Sequence, residues 1–105
     1  MKWQCVFLPE AQDDLKALDG SQRILVAKAI RKVMQNPLPA SEGGYGKPLG
    51  HHRGNDLTGL YKIKIRAAGL RIVYQLIRIE GKMVVVVIGA RADDEVYLLA
   101  GKRIR

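Results

Sequence analysis

The sequence predicts an α+β fold in the order β-α-α-β-β-β-α: a small, mostly antiparallel sheet with an N-terminal helical hairpin and a short C-terminal helix. Two helical segments directly follow a short run of strand formers, and three β-rich runs then succeed one another across short glycine-bearing connections. Hydrophobic residues make up 48% and charged residues 27% of the 105, the balance of a globular chain. A chain this short has room for one core, so residues 1–105 are expected to form a single domain.

Residues 2–8, Lys-Trp-Gln-Cys-Val-Phe-Leu, favour a strand that stops at Pro9. Pro9 suits the first turn of a helix. Glu10, Asp13 and Asp14 set negative charge near its positive end, Leu15 and Leu18 supply an inner face, and Gly20 is expected to stop it. Ser21 is placed to cap a second helix, in which Ile24, Ala27, Ile30 and Met34, joined by Val26 and Val33, recur at helical spacing until Asn36-Pro37. From Pro37 to Gly59 the composition shifts to Pro, Gly, Ser, His and Asn, which reads as one long loop of the functional or mobile kind. Leu60 to Arg66, Leu70 to Ile79 and Met83 to Gly89 then read as antiparallel strands. The third is apolar on both parities, and is expected to be central and buried on both faces. Asp93-Asp94-Glu95 opens the terminal helix, which carries Val96, Leu99 and Ala100.

Charge is the first functional signal. Eighteen Lys and Arg against ten Asp and Glu give a net +8 and an isoelectric point near 9.9, which draws a polyanion or an acidic partner. Seven cations, Lys62, Lys64, Arg66, Arg71, Arg78, Lys82 and Arg91, fall between residues 60 and 91 with one acid, Glu80. Strand alternation sets Lys62, Lys64 and Arg66 on one face and Tyr61, Ile63 and Ile65 on the other, and hairpin pairing brings Arg71 beside the first set. Like charges facing each other destabilise a sheet, so the clustering points to an anion-binding surface, against the alternative of an ordinary solvated face. The single cysteine, Cys5, sits in an apolar run and reads as a small buried hydrophobe in a reducing compartment, the cytoplasm. No segment reads as a signal peptide or a membrane span.

A two-metal nuclease needs several carboxylates around its ions, which this basic region does not offer, so no metal or other cofactor is expected. The remaining route to strand cleavage uses the 2′-hydroxyl of RNA. It needs a base for that hydroxyl, cations for the added phosphate charge and an acid for the leaving 5′-oxygen. Clustered cations favour loss of a lysine proton, so one lysine among Lys62 and Lys64 can serve as base while arginines clamp phosphate oxygens. Adjacent His51 and His52 in the glycine-rich loop read as a solvent-exposed, non-catalytic pair, with RNA contact as the alternative. Asp13-Asp14 reads as helix-start charge, like Asp93-Asp94-Glu95.

Four stretches resemble the RelE family of toxins from bacterial toxin–antitoxin pairs: Gly59-Leu60-Tyr61-Lys62-Ile63-Lys64-Ile65-Arg66, Gly69-Leu70-Arg71-Ile72-Val73-Tyr74-Gln75, Val85-Val86-Val87-Ile88 with Arg91, and Glu95-Val96-Tyr97. The resemblance is detailed over most of residues 45–105 and less specific before them. It implies a small antiparallel sheet with helices on one side, and a metal-independent endoribonuclease that enters the ribosomal A site and cuts mRNA by 2′-hydroxyl attack. It further implies Lys64 as base, Lys62 as phosphate stabiliser, Arg71 as the transition-state arginine, Arg91 for leaving-group protonation or phosphate contact, and Tyr97 for orienting an mRNA base. Arg53, Arg66, Arg78 and Lys82 are expected as further RNA contacts. A RelB-like acidic antitoxin is implied as a partner beside the ribosome and its mRNA. Two other readings share the basic face: a ParE-like toxin that inhibits gyrase, and a non-catalytic ribosome- or RNA-binding module.

Overall fold

The computed structural model describes residues 2–52, 54–90 and 95–104. Its strands are β1 (Gln4–Phe7), β2 (Lys47–His52), β3 (Asn55–Ile65), β4 (Leu70–Ile77) and β5 (Lys82–Ala90). They form one sheet in the order β1-β5-β4-β3-β2. β1 pairs parallel with β5 and every other pair is antiparallel, as the mostly antiparallel expectation requires. Helices α1 (Pro9–Lys16) and α2 (Gly20–Met34) follow β1, and α3 (Glu95–Arg103) follows β5.

The stretch expected to be one long loop instead contains β2 and the start of β3. Lys47-Pro48-Leu49-Gly50-His51-His52 lacks alternation and β-branched residues, so only its pairing makes it a strand: Lys47 stands opposite Lys62, and His52 opposite Asn55. An edge strand tolerates Pro48 because one side of it makes no ladder bonds. Two bulges shift side-chain parity in ways that simple alternation does not anticipate. Between the pairs Pro48–Tyr61 and Gly50–Leu57, β3 holds two more residues than β2, and Gly59 there adopts φ 88°. Leu57 and Leu60 consequently bury on the same face. In β5, Val73 of β4 faces Val87 while Tyr74 faces Val85, leaving Val86 as the extra residue. β5 is buried on both faces, as expected, but it lies second in the sheet, and β4 is the central strand.

Two cores result. On one face Ala11 of α1 and Val26, Ile30 and Val33 of α2 cover Tyr61, Ile63, Ile72, Tyr74 and Val85. On the other, Val96, Tyr97 and Ala100 of α3 cover Leu57, Leu60, Val73, Val86 and Val87. The helices therefore lie on both sides of the sheet, which corrects the one-sided arrangement that the resemblance implies. The helix ends differ from expectation in detail. Ala17 caps α1, and Asp19 caps α2 in place of Ser21: its carboxylate accepts from the Gln22 N–H at 2.8 Å, and its own N–H donates to Gln22 Oε1 at 3.1 Å. Ser21 serves this cap by donating to Asp19 at 2.7 Å. Ile24 and Ala27 face outward, so the inner face of α2 is Val26, Ile30 and Val33. Among the described residues, no helix is long and apolar enough to cross a membrane.

Candidate active site

Pairing of β3 with β4 sets Lys64 opposite Arg71 and Lys62 opposite Val73. Because Tyr61, Ile63 and Ile65 bury under α2, the two lysines leave β3 on the face that α3 covers. Lys47 stands across from Lys62 on the outer side. Two cation pairs thus face each other across neighbouring strands, an arrangement that weakens a sheet unless an anion joins them. Sequence reasoning missed Lys47, because its position follows only from the β2–β3 register.

α3 brings Tyr97 onto the same face. Arg71 Nη1 donates to Tyr97 Oη at 2.6 Å, and the guanidinium carbon lies 5.3 Å from the ring centroid. Arg71 Nε is buried with no hydrogen-bond partner among the described residues. Leaving such a donor unmet costs about 1–3 kcal/mol. The Tyr97 ring is 3% exposed and packs against Arg71. A base can reach it only when Arg71 or α3 shifts.

Two features seat α3. Gly89 on β5 permits its close approach, since a Cβ there would lie 2.7 Å from Val96 Cγ2. Near the other end, Arg103 donates to Asp14 Oδ2 at 2.7 Å and to the Val86 carbonyl at 2.9 Å, while the same Asp14 oxygen accepts from the Ile88 N–H at 3.0 Å. Asp14 is therefore a tie between α1, β5 and α3 in addition to a helix charge. Its hydrogen bond holds the Arg103 guanidinium above its ordinary pKa.

The other expected residues divide. Arg66 is exposed on the turn that follows Lys64. Arg78 and Lys82 sit at the opposite end of β4: Arg78 is seven residues from Arg71, about 23 Å at strand rise. Arg78 is bound by Glu42 through two contacts of 2.6 and 2.8 Å, which hold the Glu42 carboxyl below and the arginine above their usual ranges. Lys82 lies 3.8 Å from Glu80. Neither joins the Lys62–Lys64–Arg71 cluster. Arg53 and Arg91 lie outside the described residues. His51 is solvent-exposed, 3.9 Å from Asp56. Burial pushes the Cys5 thiol up, away from nucleophilic use.

Comparison with known proteins places these observations in a family. Residues 5–95 match the model of the ParE toxin of the type II toxin–antitoxin system parDE. A RelE-like toxin protein of Escherichia coli is 34% identical over 106 residues, spanning 100% of each chain. The mRNA interferase toxin RelE of the same organism is 45% identical over 98 residues, 93% of each chain. Among solved structures, a mutant of E. coli RelE in the free state superposes with TM-score 0.77 at 28% identity over 100% of both chains. The toxin in the intact E. coli RelBE toxin–antitoxin complex gives 0.64 at 25%, over 84% of this chain and 95% of the other.

Proposed function

This chain belongs to the ParE toxin family of type II toxin–antitoxin systems and is RelE-like within it, and from that premise we propose that it is an mRNA interferase, a metal-independent endoribonuclease that cuts mRNA in the ribosomal A site. The observation that carries the reading is the Lys64–Arg71 cross-strand pair, flanked by Lys62 and contacted by Tyr97.

In this reading Lys64 in its neutral form takes the proton of a 2′-hydroxyl, and the resulting oxygen attacks the adjacent phosphorus. Lys62 and the Arg71 guanidinium hold the non-bridging oxygens as charge builds on them, and the buried, unmet Nε–H of Arg71 becomes a donor to them once Arg71 moves off Tyr97. Arg91 is assigned to the leaving 5′-oxygen, either protonating it or contacting the phosphate while water supplies that proton. The products are a 2′,3′-cyclic phosphate and a free 5′-hydroxyl. Tyr97, once freed from Arg71, orients the base of the cut nucleotide.

E. coli RelE has been solved with its antitoxin RelB and with a RelB peptide. A RelB-like acidic antitoxin that covers the basic face in the cytoplasm is the partner proposed for this chain.

Mapping mRNA ends on translating ribosomes tests the reading. Wild type is expected to leave ends at A-site codons, and Arg71→Ala and Lys64→Ala should each lower the rate on the order of a hundredfold or more. Inhibition of gyrase supercoiling without mRNA cleavage would favour the ParE-type activity for which the matching family model is named. RNA binding without cleavage would favour a non-catalytic module.

A further inference from the structure

The lysine row continues around the edge of the sheet. Lys47 is the last β2 residue paired with β3, so from Ile63 to Ile65 the outer edge of β3 carries no strand among the described residues. The chain before Lys47 turns away instead, with the N–H groups of Tyr45 and Gly46 donating to the Asn36 and Leu38 carbonyls, each at 2.9 Å. Between this open edge and α2 lies a groove of about 460 Å³, whose lining among the described residues includes Lys32, Tyr45, Lys47, Lys62, Lys64 and Arg66 and no acidic side chain.

Tyr45 is the distinctive member. Tyr45 is 48% exposed, and Lys32 Nζ lies 5.5 Å from its ring centroid. The backbone that carries it is firmly held. Beside its two backbone hydrogen bonds, the buried Tyr74 hydroxyl donates to the Pro37 carbonyl at 2.9 Å, and Gly46 packs so closely that a Cβ there would lie 2.7 Å from that hydroxyl. An aromatic ring presented on a fixed backbone among lysines suits an unpaired base stacked beside its own phosphates. An acidic peptide would engage the cations too, but it offers the ring no flat base to stack on.

We propose that this groove is a second RNA subsite, in which a base stacks on Tyr45 while Lys32 and Lys47 hold the neighbouring phosphates of a single strand leading to Lys62 and Lys64. It deepens the nuclease reading and rests on it for the strand's destination. The test uses the purified protein and a short uridine-rich RNA that carries 5-iodouridine. The adduct formed on irradiation is mapped by mass spectrometry, and affinity is followed by fluorescence anisotropy across a salt series.

An adduct at Tyr45 is expected. Tyr45→Ala should weaken binding about tenfold, with Tyr45→Phe close to wild type. Lys32→Ala and Lys47→Ala should each flatten the slope of log affinity against log salt by about 0.7. Unchanged affinity in the Tyr45 and Lys32 variants, with adducts elsewhere, would overturn the subsite. So would an Asp/Glu-rich peptide that binds the groove while no RNA adduct forms at Tyr45. Ribosome cleavage measured on the same preparations separates the two readings: intact cleavage without Tyr45 involvement removes the subsite alone. A Tyr45 adduct in a protein that cuts no mRNA supports the subsite and removes the nuclease.

Discussion

Arg71 and Tyr97 show how a site is built from residues that no local pattern joins. Alternation along β3 is enough to put Lys62 and Lys64 on one face, and the hairpin brings Arg71 to them, so these three are legible in the sequence. The Arg71–Tyr97 hydrogen bond spans 26 positions and depends on where α3 lands, which periodicity does not encode. The same geometry sets the expected behaviour of substitutions. Arg71→Lys keeps the charge and loses the planar fork, so single-turnover cleavage should remain roughly a hundredfold below wild type. Tyr97→Phe keeps the ring and removes the acceptor, leaving a second Arg71 N–H in need of a partner. Denaturant unfolding should show a loss of about 1–2 kcal/mol in that variant.

At the scale of elements, the cleanly patterned ones are legible and the paired ones are not. The inner face of α2 and the double-sided burial of β5 follow from spacing of apolar residues, although outward-facing Ile24 shows that periodicity overstates the buried stripe. β2 escapes notice because Pro48 and Gly50 contradict strand propensity and only pairing with β3 overrules them. The bulges in β3 and β5 are equally hidden, yet they direct Leu57 and Val86 toward α3 and so shape the floor on which Tyr97 rests. Because α3 is seated by Gly89 and by the Asp14–Arg103 tie, both can be changed without touching a proposed catalytic side chain. Gly89→Ala should crowd Val96, lower stability by about 1–3 kcal/mol, and reduce cleavage through displacement of Tyr97. Asp14→Asn, which breaks a half-buried ion pair, should cost about 2 kcal/mol and lower Tm by roughly 10 °C in a thermal melt.

For the whole molecule, the +8 charge announces an anionic partner without locating it. The fold gathers part of that charge at one end of the sheet and commits other cations to carboxylates elsewhere, Arg78 to Glu42 and Arg103 to Asp14. The β2–β3–β4 register brings Lys47, Lys62, Lys64 and Arg71 together on neighbouring strands. The proposed reading assigns to that face chemistry that relies on cations and on the 2′-hydroxyl of the substrate. The most direct test is to place in the A site of programmed ribosomes an mRNA whose scissile nucleotide carries 2′-deoxyribose, and to follow strand ends beside an all-ribose control. Cleavage of the control, ending in a 2′,3′-cyclic phosphate, with the deoxy substrate left whole, is the expected result. Cleavage of the deoxy substrate at a comparable rate would contradict the account, because the attacking oxygen would then come from somewhere other than the RNA itself.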